Sequence, residues 1–238
     1  MLEIAAKLPP GVLVGAEDRL LSQAQARSGG ARVLAREADL VRTDGTITAW
    51  REARGAVEAV AATPNSGNSR FDPAPPGALV CEDGTNCGFA VPGFTPEVKA
   101  FTVAVIYRSG GEARTLASVF TGQSHNMIFL SENEGRLLAK DRQTTFEVSL
   151  PRPSGDLHLV ILSFDGTTLR LQAGGQQAEA KGRVPAMNHP GDFFIGCRSN
   201  RPGLAKTLGA SRLHEVLFWP ETALSPEDEA LVALGRYH

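Results

Sequence analysis

Cysteine is scarce in this chain: three residues in 238, none of them in a CxxC pair. A disulfide-stapled small fold and a thiolate zinc site are thereby excluded. Cys81 and Cys87 stand six positions apart and either bridge one loop or remain ordinary thiols, while Cys197 follows Gly196 in an apolar stretch. An excess of one charge is missing too. Lys plus Arg number 24 against 26 Asp plus Glu, a formal net charge of -2, so there is no global positive field to hold a polyanion by counterion release. Nucleic acid is not the expected partner. No run reaches the roughly 18 apolar residues of a membrane-spanning helix, and residues 1–14 lack the basic start and continuous apolar core of a secretory signal. The expectation is a protein made in the cytoplasm without a signal peptide and without membrane insertion.

Catalytic signatures are absent as well. No GxSxG elbow or HExxH pair occurs, and His125, His158, His189, His214 and His238 show no metal-binding spacing. His158 and His214 fall among apolar neighbours, the setting of satisfied or sheet-surface imidazoles. Paired acids come nearest in Ser131-Glu-Asn-Glu-Gly135, where Glu132 and Glu134, two apart, could share one strand face. Gly135 marks a turn there, and the pair is expected at a solvated hairpin tip. No cofactor and no metal is expected. Asp83, Asn86 and Asp192 are the nearest oxygen donors for calcium, but they form no loop series of the EF-hand kind.

What the chain does contain is turn formers and apolar ribbons. Its 25 Gly and 15 Pro are spread along a 42% hydrophobic sequence, which suits many short strands in one large all-β unit. Residues 16–27 are rich in helix formers and stop at Ser28-Gly29-Gly30. Residues 1–31 are read as a tether outside the body, either a loosely ordered terminus or an attachment element for a larger assembly. Residues 32–238 form the body.

Thr46-Ile-Thr-Ala-Trp50, after Asp44-Gly45, alternates as a half-buried strand does. The Pro, Asn and Gly of residues 63–77 exclude a central strand, because proline has no N–H for the ladder, and predict a long surface loop. Phe101 to Tyr107 and Leu157 to Phe164 are nearly continuous apolar runs, the pattern of strands covered on both faces. Asp165-Gly166 turns the chain into a stretch in which Leu169 and Leu171 oppose Arg170 and Gln172; Gly174-Gly175 turns it again. Phe193 to Cys197 and Leu213 to Trp219 supply two more strands, divided by a polar loop. Near the end Ser225, Pro226 and Asp228 spell a cap, a first-turn proline and a capping box, so a short helix closes the chain.

Together these stretches resemble the concanavalin A-like lectin/glucanase superfamily, especially its laminin G-like jelly rolls. The run LHLVILSFDGTTLRLQAGG (157–175) is similar to the family's Asp-Gly hairpin, Phe194-Ile-Gly196 to the strand after it, and residues 213–234 to the closing strand and helix. Ala38-Asp39 through Trp50 resembles the family's opening. The resemblance implies a two-sheet antiparallel β-sandwich, a concanavalin A-like jelly roll, with a short N-terminal helical segment and a short C-terminal helix. It places Trp50 and Trp219 at packing positions. The glucanases of this fold carry an ExDxxE strand, which is missing here, so no enzymatic activity is expected.

A narrower resemblance, in overall style and composition, is to the head-spike proteins of phage-like gene transfer agents. It implies a carbohydrate-binding adhesin displayed at a virion or particle surface, attaching to host capsular polysaccharide. Other spike or capsid proteins would bind through the N-terminal segment, and polyvalent, oligomeric display would raise avidity. The alternative is a capsid-decoration or spike-base subunit with protein contacts only. Sugar recognition needs planar polar side chains on loops aimed by a rigid scaffold. Two loops qualify: one with Gln123, His125 and Asn126, the other with Arg198, Asn200 and Arg201, and with Lys206 further along. Arg198, Arg201 and Lys206 would suit an acidic polysaccharide, since guanidinium grips carboxylate in two-pronged fashion.

Overall fold

The computed structural model describes residues 30–52, 55, 57–65, 70–122, 127–143, 145–182, 187, 189–200 and 204–234. The segment read as a helical tether therefore lies outside the described residues. The strands, in chain order, are β1 (Ala31–Leu34), β2 (Leu40–Thr43), β3 (Thr46–Arg51), β4 (Glu58–Ala61), β5 (Arg70–Asp72), β6 (Ala78–Cys81), β7 (Phe89–Thr95), β8 (Phe101–Ser109) and β9 (Arg114–Phe120). They continue with β10 (Met127–Asn133), β11 (Arg136–Asp141), β12 (Glu147–Pro151), β13 (His158–Phe164), β14 (Thr168–Ala173), β15 (Gln176–Lys181), β16 (Gly191–Ile195) and β17 (Ser211–Pro220), before the helix α1 (Pro226–Leu234).

Every pairing is antiparallel, and the strands form two sheets that make a sandwich. One runs β15-β14-β13-β8-β17-β6-β5, with β1 also on β17; the other runs β12-β11-β10-β9-β16-β7-β4-β3-β2. β8 and β13 occupy the middle of the first sheet, and for that reason Phe101 to Tyr107 and all of β13 are buried on both faces. The alternation read in Leu169, Arg170 and Leu171 is observed, with both leucines in the core. Asp44, Gly45, Gly174 and Gly175 all have positive φ, the conformation that makes a two-residue hairpin follow the strands' twist. Asp165 sets its turn differently, its carboxylate accepting the N–H groups of Thr167 and Thr168 at 2.9 and 2.7 Å.

Residues 63–77 correct one expectation. They are not loop throughout, because β5 pairs with β6 from Arg70↔Val80 to Asp72↔Ala78. It is an edge strand, the one position where prolines immediately beyond it leave no ladder partner unsatisfied.

The space between the sheets is filled from both. Phe94, Phe193 and Phe218 meet with centroids 5.2 to 5.6 Å apart. Trp50 is fully buried with its indole N–H on the Leu34 carbonyl at 2.6 Å. Trp219 is equally buried but lies on the outer face of the first sheet, where Leu224 and Val232 of the closing segment cover it. Both tryptophans pack, as expected. Helix α1 begins as read from sequence: Ser225 Oγ accepts the Asp228 N–H at 3.1 Å and donates to its carboxylate at 2.9 Å.

Cys81, Cys87 and Cys197 are all buried, and none is in a disulfide. Among the described residues no group of three or more His, Cys, Asp or Glu converges as metal ligands would.

Candidate functional site

β10 shows how the second sheet divides its side chains. Ile128 and Leu130 face the core, joined there by Ala139, opposite Leu130 on β11, and by Leu137, opposite Glu132. The intervening residues face outward, Phe129 opposite Lys140 and Ser131 opposite Leu138. Across β9, Phe129 is opposite Ser118 and Ser131 opposite Thr115. A bulge between Leu130 and Ser131 keeps that alternation in phase across the two strands.

Over this outer face comes the polar loop that joins β16 to β17. Leu208 packs with Phe129, Phe194, Phe120 and Cys197 in a small apolar patch. Ser118 Oγ donates to the Arg198 carbonyl at 2.9 Å. Arg198 Nε donates to Thr115 Oγ1 at 3.1 Å, and the guanidinium carbon lies 3.8 Å from the Phe129 ring centroid. Backbone, side-chain nitrogen and π-face thus hold one arginine at three points. The result is a groove of about 320 Å³ with Phe129 and Leu138 at its base and Ser131, Asn133, Arg198 and Lys206 among its walls.

Charge in the groove is uneven. Arg114 is engaged by Glu112 and by the side-chain oxygen Oδ1 of Asn133, and Lys140 by Glu147 at 3.3 Å. Arg198 and Lys206 have no carboxylate partner among the described residues. Burial, with Arg142 nearby as a second cause, pulls the Arg198 guanidinium down to about 10; it remains cationic at neutral pH. A second depression, about 210 Å³ at the start of α1, differs in that its arginine already has carboxylate partners. There Arg170 binds Glu179 at 2.7 Å and Glu229 at 3.3 Å, and Ser163 donates to Glu229.

Of the residues singled out from sequence, Arg198 and Lys206 meet in the groove. Asn200 does not: its Oδ1 accepts the Thr63 N–H at 3.1 Å, pinning the loop to the segment after β4. Gln123, His125, Asn126 and Arg201 lie outside the described residues. Sequence reasoning missed Phe129, Ser131, Leu138 and Asn133. Their i, i+2 spacing on either side of the Glu134-Gly135 turn was the available signal.

Glu132 corrects a second expectation. It is fully buried, not at a solvated tip, and turned inward, accepting from Tyr107 Oη at 2.6 Å, Ser109 Oγ at 2.7 Å and Arg152 Nη1 at 2.7 Å. Glu134, with φ of 52°, makes the turn itself, so the two acids do not share a face. His158 lies beside Tyr107, ring centroids 5.4 Å apart, and His214 Nδ1 is 2.6 Å from the Gly77 carbonyl oxygen. Asp192 accepts the Gly93 N–H at 2.8 Å and Asn86 the Gly88 N–H at 3.0 Å, so these two calcium candidates serve as loop braces.

No family model and no curated protein matches this sequence. Solved structures do match its fold. A sialidase of Trypanosoma rangeli, in complex with 2,3-difluoro-KDN, aligns with a TM-score of 0.56 at 15% identity, over 92% of this chain and 38% of that one. Domain 4 of a GH43 extracellular arabinanase from Geobacillus stearothermophilus, in complex with arabinotriose, aligns at 0.53 and 14% identity over 87% and 97% of the two chains. The binding domain of botulinum neurotoxin DC, in complex with SialylT, aligns at 0.54 and 10% over 86% and 50%. The chain therefore spans well under half of the sialidase it matches. The likeness is one of fold, a β-sandwich shared by enzymes and by binding domains alike.

Proposed function

We propose that this chain is a glycan-binding domain whose site is the groove on the outer face of the nine-stranded sheet. The observation that carries the reading is the groove's construction: the apolar surface of Leu138 lies in one groove with the amide, hydroxyl and cationic side chains of Asn133, Ser131, Arg198 and Lys206, on a rigid sheet. A sugar ring offers the matching surface, C–H groups on one side and hydroxyls at its rim. The structural neighbours solved with arabinotriose and SialylT support the same reading at the level of fold. A binding role, and not cleavage, is supported by the inward turn of Glu132 and by the engagement of Glu112 and Glu147 with cations. Retaining hydrolysis would call for two carboxyl groups about 5 Å apart across the bound sugar.

At a finer level the chain is an adhesin on a phage-like particle that attaches to capsular polysaccharide, a reading supported by the sequence resemblance alone. Retention of the full-length protein on capsule-bearing cells and on matched capsule-free cells tests it. Selective retention by the capsulated cells is expected. Equal retention removes the capsular reading, and tight binding to a capsid or spike protein with no glycan bound replaces it with the structural alternative.

A further inference from the structure

We infer that the groove selects carboxylated sugars, uronic or nonulosonic acids, with Arg198 gripping the carboxylate end-on through Nη1 and Nη2. The inference rests on the glycan-binding reading and names the chemical class of its ligand.

Arg198 is the reason. Its Nε–H is committed to Thr115 Oγ1 and one face of its guanidinium to Phe129, which leaves the two terminal nitrogens without a partner among the described residues. A solvated surface arginine is not built this way. Here folding has already removed much of the group's water and fixed its rotamer, yet supplies no carboxylate in return. A ligand carboxylate restores what desolvation removed, and meets a donor pair that needs no further ordering. Two carboxylate oxygens match the free edge of a planar guanidinium in two parallel, charge-assisted hydrogen bonds, which a neutral sugar or a carboxylate ester cannot supply.

Lys206 adds a second cation with no ion-pair partner among the described residues, while Asn133 and Ser131 stand where ring hydroxyls would reach. The chain as a whole carries a formal charge of -2, so this local surplus is a property of the groove and not of the surface generally. Phe129 cannot itself stack on sugar, because it is buried beneath the guanidinium. Leu138 is left to meet the ring's apolar side.

The test is calorimetric titration of the full-length protein with oligogalacturonate, oligoglucuronate and oligosialic acid, each also as its methyl ester, alongside neutral arabino- and gluco-oligosaccharides and a sulfated dextran. At least one acid is expected to bind, with esterification lowering affinity about tenfold or more, the loss that follows removal of a charge-assisted hydrogen-bond pair. Arg198→Gln and Arg198→Lys should each lose a similar factor for that acid; the lysine variant keeps the charge but not the fork. Lys206→Ala, at an exposed position, should lose a smaller factor. If an Arg198 variant melts early, the acid and ester comparison on the unaltered protein still decides. Equal binding of acid and ester, preference for sulfated dextran, or binding of neutral oligosaccharides alone overturns the carboxylate assignment and leaves glycan binding standing. No binding to any member of the set overturns both.

Discussion

The Tyr107 hydroxyl, from the middle of one sheet, donates to the Glu132 carboxylate, from the other, at 2.6 Å in the closed interior of the sandwich. Ser109 and Arg152 complete the carboxylate's coordination, and the carboxylate in turn raises the Tyr107 hydroxyl's pKa, after burial, the larger cause. The cluster bolts the two sheets together at one end. Glu132→Gln should therefore lower stability by about 2–4 kcal/mol, since it leaves Arg152 and two hydroxyls facing an amide. Denaturant midpoints measure this. Glycan affinity of the folded variant should be unchanged, and its loss without a stability change would assign Glu132 to the site after all.

Acid should weaken the fold through His158 and His214. Burial holds both imidazoles below their ordinary value of 6.5; for His158 Arg152 adds to this, and for His214 Arg108 and Arg212 do. Above 6.5 neither state is charged and stability is level. As pH falls from 6.5 toward the lowered folded values, the unfolded chain takes up protons that the native one refuses, and stability drops. Glu229, raised by burial, acts in the opposite sense at lower pH. Melting temperatures from about pH 8 to pH 5, compared with those of a His158→Gln, His214→Gln double variant, isolate the histidine contribution. Parallel curves for the two proteins would refute it.

Arg198→Met should separate binding from stability. The thioether side chain can still lie on Phe129 while removing a desolvated cation that has no carboxylate, so stability should stay within about 1 kcal/mol or rise. Urea unfolding checks this beside the calorimetry. A loss of more than about 2 kcal/mol would mean that the guanidinium is chiefly a structural brace.

Gly88 should control the groove from a distance. A Cβ there would collide with Cys197 Sγ, and would come within 2.6 Å of Cys197 Cβ and 2.9 Å of the Ile195 carbonyl oxygen. The neighbour it displaces directly precedes Arg198. Gly88→Ala is expected to cost about 1–3 kcal/mol through overpacking and to weaken glycan binding in step, measured by denaturation and titration of the same sample.

Much of the fold could be read from the chain, because its signals are local. The Asp44-Gly45 and Gly174-Gly175 turns, the double-sided burial of β8 and β13, and the Ser225 capping box all depend on residues within a few positions of one another. β5 escaped notice because three residues beside prolines carry no pattern of their own; only the edge offered by β6 makes them a strand. The groove was half legible. Arg198 and Lys206 stood out as basic residues in a polar loop, but Phe129 and Leu138 look like any core residues until register shows which way they face.

The sequence alone determined the fold class, the turn positions and the closing helix, since hydrophobic period and backbone preference act over short distances along the chain. Tertiary structure decided the rest. Strand alternation and the sandwich's packing put Phe129 outside and Glu132 inside, and a loop crossing the sheet brought Arg198 onto that ring across 69 positions of sequence. Such meetings depend on how two sheets twist and pack, and no local run of residues encodes them.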